Sequence, residues 1–160
     1  MPPMAETISG SILLRLMGIS ASSADAATLG GTVPVDLEES FSNGTSDGQV
    51  DVLFTKTGSL SASSVSFDLE DGTEDQPLHT PAEFDVADLL LVKNTGGQQM
   101  TLSGNLLGLS AESLPIPAGG VVLIYLGGVG LSVVSASSDI ITLTSLLATT
   151  YHVVVLGRSA

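Results

Sequence analysis

The segment from Leu114 to Leu156 restricts the fold more than any other part of the sequence, because it consists of short apolar runs with no helical pattern between them. Prolines and glycines at 115–120 favour a turn, since proline fixes φ and glycine tolerates positive φ. Runs rich in β-branched residues follow at hairpin spacing, at 121–126, 131–134, 140–144 and 151–156. This spacing is typical of an antiparallel β assembly.

Two upstream segments alternate between apolar and polar residues, as a half-buried strand does. In the first, over 49–57, three apolar residues are expected to face inward, namely Val50, Val52 and Phe54. In the second, over 61–69, Val65, Phe67 and Leu69 share one face, and Ser64, Ser66 and Asp68 share the other. We expect the apolar face of each strand to be buried.

The remaining segments are assigned by local pattern. The sequence predicts a strand over 86–93, closed by a turn at 94–97, with 99–103 pairing back against it; 105–113 leaves room for one helical turn. Near the start, 8–17 reads as a strand, with a short helix as the competing interpretation, and 20–32 as a small-residue loop. Over 33–37 an edge strand is expected, because Pro34 cannot donate to a central ladder. Residues 71–83 are expected to form an acidic loop.

Together these segments give roughly eight to ten short strands at intervals of about 8–12 residues, which is the pattern of a sandwich or barrel. We predict an all-β fold: an antiparallel β-sandwich, jelly-roll-like, with the C-terminal strand in a central position. Residues 1–6 are expected to form a flexible N-terminal arm, since they contain two prolines. Residues 7–160 are expected to form a single sandwich domain.

Three of the predicted strands are apolar on both faces, at 89–92, 121–126 and 153–156. A sandwich strand normally carries polar residues on its outer face. Charged residues make up only 13% of the chain, whereas a soluble domain usually has about a quarter. Either a loop or another subunit must cover the second apolar face. We expect a subunit, and hence a homo-oligomer.

The charge balance restricts the partners. Four Lys and Arg stand against 17 Asp and Glu, a net charge of −13, and binding to nucleic acid depends on cationic side chains. No nucleic-acid partner is expected. The apolar stretches are short and broken by glycine, so no membrane span is expected. The chain has no cysteine, so neither a disulfide nor a thiolate metal site is predicted.

Catalytic and ligand-binding patterns are scarce. The two histidines are His79, expected in a solvated loop, and His152, expected to pack within the last strand; no nucleophile motif accompanies either. Acidic clusters at 68–71 and 83–88 are interpreted as a solvated rim, with Ca²⁺ binding as the alternative, since neither has an EF-hand pattern. We therefore predict no catalytic residue, no metal site and no cofactor.

The order of several blocks resembles small structural proteins of tailed-bacteriophage virions, the capsid cement or head-decoration class. The blocks span most of the chain: Ser11–Leu16, Val50–Thr55, Asp68–Gly72, Val86–Asn94, Ile116–Leu123 and Thr150–Gly157. The resemblance implies a non-enzymatic protein that decorates and stabilises the capsid exterior. It also implies the major capsid protein as partner and a trimer as the favoured oligomer.

Two other functions stay open. One is a structural role in the neck or tail of the virion. The other is an adhesin-like or carbohydrate-binding module, which often uses a β-sandwich. Sugar rings stack on exposed Trp and Tyr side chains, and this chain has no Trp and only Tyr125 and Tyr151, each within an apolar run.

Overall fold

The computed structural model describes residues 10–24, 27–70, 84–126, 129–134 and 139–159. Within these ranges the chain forms strands and turns and contains no α-helix. The strands, in chain order, are β1 (Gly10–Ala24), β2 (Ala27–Asn43), β3 (Gln49–Val50), β4 (Val52–Leu60), β5 (Ser63–Asp68), β6 (Val86–Asn94), β7 (Met100–Gly104), β8 (Leu109–Ile116), β9 (Val121–Tyr125), β10 (Leu131–Ser132), β11 (Ile140–Ser145) and β12 (Thr149–Arg158).

Two antiparallel sheets pack face to face as a β-sandwich. The five-stranded sheet has the order β4-β12-β6, and β9 and β10 share the far edge of β6. The four-stranded sheet has the order β5-β11-β7-β8. The connectivity becomes clear if the eight longer strands of the sandwich are renumbered 1 to 8 in chain order, which are β4, β5, β6, β7, β8, β9, β11 and β12. The two sheets then have the orders 1-8-3-6 and 2-7-4-5, as in a jelly roll. The predicted fold is confirmed, including the central position of the C-terminal strand β12.

The core lies between the sheets and is built from the faces that the alternation predicted. Val50, Val52 and Phe54 are buried, as are Phe67 and Leu69. The rings of Phe54 and Phe67 lie 5.3 Å apart, which joins β4 to the opposite sheet. Ser64 and Ser66 are exposed on the other side of β5. Alternation therefore identified which face of each strand is buried.

One prediction about the middle of the chain is wrong, and one open alternative is decided. Residues 99–103 do not pair back against β6: β7 pairs with β11 and β8 in the opposite sheet. The connection at 95–99 crosses between the sheets, and a two-residue period encodes the buried face of a strand but not its partner. The helical turn considered over 105–113 is also absent, since 105–108 is a turn that leads directly into β8.

The first two strands form a long hairpin that belongs to neither sheet of the sandwich. They pair antiparallel from Gly10 and Phe41 to Ala24 and Ala27, and the end of β2 pairs parallel with β3. The prediction of a loop over 20–32 is wrong for 20–24 and 27–32, which are paired strand, because backbone pairing requires no particular side chains. The predicted arm at 1–6 and acidic loop at 71–83 lie outside the described residues.

The assignment of faces on β5 can be tested with a pair of substitutions. Val65 packs against the core, so Val65→Asp is expected to lower the free energy of unfolding by about 2 kcal/mol, the cost of burying a polar group that lacks a partner. Ser64→Asp on the exposed face is expected to change it by less than about 0.5 kcal/mol. Denaturant titration measures both, and equal effects would show that the faces are assigned wrongly.

Candidate assembly interface

The two sheets present outer faces of opposite character. On the four-stranded sheet the outward residues are hydroxyl side chains on three adjacent strands: Ser64, Ser66, Thr101, Ser103, Thr142 and Thr144. Ser66 and Thr142 are hydrogen bonded across β5 and β11, with their side-chain oxygens 2.9 Å apart. Such a face is well suited to contact with water.

The outer face of the five-stranded sheet is mostly apolar. Core residues Phe54, Leu90 and Val153 fix the inward parity of β4, β6 and β12, so the alternate residues point outward. They form three rows across β4, β12, β6 and β9, in that order: Leu53, Leu156, Leu89 and Tyr125; Thr55, Val154, Leu91 and Leu123; Thr57, His152, Lys93 and Val121. We call these twelve residues the apolar face.

Part of the apolar face is covered within the chain. Phe41, at the end of β2, packs edge to face against Tyr125 with ring centroids 6.1 Å apart. Leu89, next to Tyr125 in the same row, is buried. Leu53, Leu91, Leu123, Val154 and Leu156 remain partly exposed, and Val121 is exposed. The runs in β6, β9 and β12 that are apolar on both faces therefore contribute one face to the core and one to this surface.

His152 lies within the apolar face. Its Nε2 is 3.0 Å from Thr55 Oγ1, and its cross-strand neighbours are Thr57 and Lys93. A catalytic histidine is normally oriented by an acidic or amide group and paired with a nucleophile, and the row that contains His152 has no carboxylate. The arrangement fits a partly packed sheet residue. His79 lies outside the described residues.

The main ionic cluster lies at the opposite end of the strands from Lys93. Arg158, 5% exposed, donates from Nε to Asp88 Oδ2 at 3.1 Å and from Nη1 to Asp47 Oδ1 at 2.6 Å. Its Nη2 donates to Val129 O at 2.9 Å. Burial raises the pKa of Asp88, and the opposing attraction of Arg158 does not fully compensate for it. The guanidinium thus joins three separate segments, and we call this group the Arg158 clamp.

A glycine next to Val129 allows this segment to pack closely against Asp88. Gly130 has φ +68°, and an added Cβ would lie 2.6 Å from Asp88 Oδ1. A side chain at this position would be strained and would collide with the carboxylate. The expectation that Asp88 belongs to a solvated acidic rim is wrong, because Asp88 is buried beneath this loop.

The acidic clusters considered for Ca²⁺ are only partly described. Asp68 accepts the Glu70 N–H at 3.1 Å, whereas Asp71 and Glu83 lie outside the described residues. In the part of the chain that the structure describes, no three His, Asp or Glu side chains group closely enough to hold a metal ion. Across the same residues, no helix has the length and apolar character needed to cross a membrane.

Sequence reasoning found part of the apolar face and missed the rest. The runs in β6, β9 and β12 were recognised because they are apolar on both faces. Leu53 was missed because β4 otherwise alternates, and Phe41 because nothing in its neighbourhood indicates a contact with β9. Comparison of the chain with protein-family models, with curated proteins and with solved structures gave no match.

Proposed function

We propose that the protein is a non-enzymatic structural component of a tailed-bacteriophage virion, which decorates the capsid exterior and stabilises the shell. It acts as a homo-oligomer, with a trimer favoured, and its partner is the major capsid protein. The observation that carries the assembly part of this proposal is the contrast between an outer sheet face of Ser and Thr and one of Leu, Val and Tyr.

The size of the apolar face is suited to the centre of an interface. Four strands about 4.8 Å apart and three rows about 6.7 Å apart cover roughly 400 Å² with their side chains. A specific interface buries about 800 Å² on each partner, so the face would supply at most about half of it. Burying this face together with an equal apolar area of a neighbouring copy gives at most about 20 kcal/mol of gross stabilisation. This upper limit exceeds the 4–15 kcal/mol or so that association costs.

The capsid part of the proposal is supported by the resemblance of the ordered sequence blocks to cement and decoration proteins. The net charge of −13 agrees with a location on the outside of a particle, where like charge keeps particles apart. The trimer rests on the resemblance alone. A trimer with cyclic symmetry is compatible with the apolar face, because each copy can present this face to a different surface of its neighbour and still close the ring.

Self-association can be tested with Leu91→Lys, which places a charge in the middle row of the apolar face. The free protein is expected to be an oligomer at micromolar concentration in both low and high salt, since apolar contacts are not screened. The variant is expected to raise the dissociation constant at least about 100-fold, or about 2.7 kcal/mol. Size-exclusion chromatography with light scattering measures the mass.

Thr142→Lys is the matched control, because it places the same charge in a central strand of the hydroxyl-bearing face. We expect this variant to retain the mass of the wild-type oligomer. A wild-type protein that is monomeric at both salt concentrations would overturn the assembly proposal. A monomer that binds glycans would support the carbohydrate-binding alternative instead.

A further inference from the structure

Four connections meet at one end of the sandwich, and none contains a charged residue. They join β4 to β5, β6 to β7, β8 to β9 and β11 to β12, over 61–62, 95–99, 117–120 and 146–148. Antiparallel register places them together, since Leu60 is opposite Thr149, Met100 is opposite Ile116 and Ser63 is opposite Ser145. We call this surface the neutral end.

Two large apolar side chains project from the neutral end. Leu146 is 86% exposed and Leu147 is 58% exposed, although they belong to a tight turn. Ser145 Oγ fixes this turn: it lies 2.8 Å from Leu147 O and 3.0 Å from Gln99 O, and it accepts the Leu147 N–H at 3.3 Å. The backbone that carries the two leucines is therefore fixed while their side chains stay in water, and contiguous exposed apolar side chains are a feature of interaction sites.

A recess of about 370 Å³ lies beside the leucines and is lined by 98–101 and 144–147. The neutral end therefore combines two projecting apolar groups with an adjacent depression. Its polar atoms belong to Thr, Ser, Gln and backbone groups, which can form hydrogen bonds without removing a charge from water. Such a surface can be buried against a protein partner at a low desolvation cost.

The acidic residues lie away from the neutral end. Among the described residues of the sandwich and the turn that precedes it, seven carboxylates occupy the opposite end, and Glu112 lies between the two ends on β8. The seven are Asp47, Asp51, Asp68, Glu70, Asp85, Asp88 and Asp139. The exposed Lys93 lies within the row of the apolar face that is nearest to the neutral end, between His152 and Val121. A strongly acidic protein would therefore meet a neutral or acidic partner with least repulsion through the neutral end.

We propose that the neutral end is the surface that docks on the capsid, with Leu146 and Leu147 inserted into an apolar depression of the major capsid protein. This inference rests on the proposed function and adds the contact surface to it. The neutral end is distinct from the apolar face, so both are used at once. Cyclic symmetry directs the equivalent ends of all copies to the same side, and their linked contacts raise the effective concentration.

The test combines Leu146→Ser with Leu147→Ser and measures co-sedimentation with purified capsids that lack this protein and are assembled from the cognate major capsid protein. The wild type is expected to bind, and the double variant is expected to bind at least about 100-fold more weakly. Its mass by light scattering and its melting temperature are expected to match the wild type. Val134→Ser is the control, since Val134 is 49% exposed near the opposite end, and it is expected to bind as the wild type does.

The outcomes separate the two proposals. If the wild type binds and the double variant binds equally well, the docking surface is wrong and the decoration function stands. If the wild type does not bind capsids, the decoration function fails and the docking surface fails with it. Should the double variant misfold, Ala118→Asp tests the same surface, because Ala118 is exposed in the adjacent connection. Unchanged binding by this variant would overturn the proposal.

Discussion

Replacing Arg158 by methionine is expected to lower the free energy of unfolding by about 3–5 kcal/mol, which is the usual cost of removing one partner of a buried ion pair. Arg158 and Asp88 are 5% and 2% exposed, so the substitution leaves a buried carboxylate without its cation. It also releases Asp47 and the carbonyl of Val129. Denaturant titration at pH 7 measures the loss.

The dependence on pH distinguishes an unpaired charge from a simple packing defect. Burial already raises the pKa of Asp88, and Arg158 acts in the opposite direction. Without Arg158 the pKa rises further, so the folded variant takes up a proton more readily than the unfolded chain does. A group of this kind makes the protein more stable as the pH falls. The deficit of Arg158→Met is therefore expected to be smaller at pH 5 than at pH 7.

A double substitution provides the control. Adding Asp88→Asn to Arg158→Met removes the buried charge, and we expect at least half of the lost stability to return at pH 7. A deficit that is the same at both pH values, and that the second substitution does not reduce, would show that Arg158 acts by filling space rather than by balancing Asp88.

Replacing Asn94 by leucine is expected to lower the free energy of unfolding by about 3–5 kcal/mol, because several buried groups lose their partner at once. Asn94 is fully buried. Its Nδ2 lies 2.7 Å from Gln98 O and 3.1 Å from Ile116 O. Its Oδ1 accepts from Gly96 N at 3.1 Å and from Thr149 Oγ1 at 3.0 Å. The Asn94 amide thereby joins three parts of the neutral end: the connection at 95–99, the end of β8 and the start of β12.

Asn105→Leu is the matched control for Asn94→Leu. Asn105 also bonds with both ends of its amide, to Asp139 Oδ1 at 2.7 Å and from Ile140 N at 2.6 Å, but it is only partly buried. We expect Asn105→Leu to lower the free energy of unfolding by about 1–2 kcal/mol. Hydrogen exchange should show faster opening at 95–99 and 117–120 for Asn94→Leu only. Equal losses of stability from the two variants would argue against Asn94 as the organising residue.

The parts of the fold that local patterns encode were predictable from the sequence. Alternation in β4 and β5 identified their buried faces, and the two-sided run in β12 indicated a central strand. Which sheet β7 joins was not predictable, because alternation says nothing about the partner of a strand. Asn94 was predicted to begin a turn, whereas it is the last residue of β6. Its role depends on contacts with residues up to 55 positions away.

The candidate surfaces also differ in how far the sequence predicts them. Most of the apolar face follows from runs that are visible in the sequence. The Arg158 clamp does not, since its carboxylates are 70 and 111 residues away along the chain, and a lone arginine after an apolar strand looks solvated. The neutral end depends on four connections that only the folded topology brings together. Leu146 and Leu147 continue an apolar pattern, so nothing local marks them as exposed.

Because β12 is a central strand, the five-stranded sheet can form only after β12 has been synthesised. β12 separates β4 from β6 and pairs with both, and the contact between Thr55 and His152 spans 97 residues. Until β12 has emerged from the ribosome, β4 and β6 each lack a neighbour and expose an open edge. Folding of the five-stranded sheet must therefore wait for the end of translation of this region, and a ribosome that stalls before β12 leaves a chain prone to aggregate.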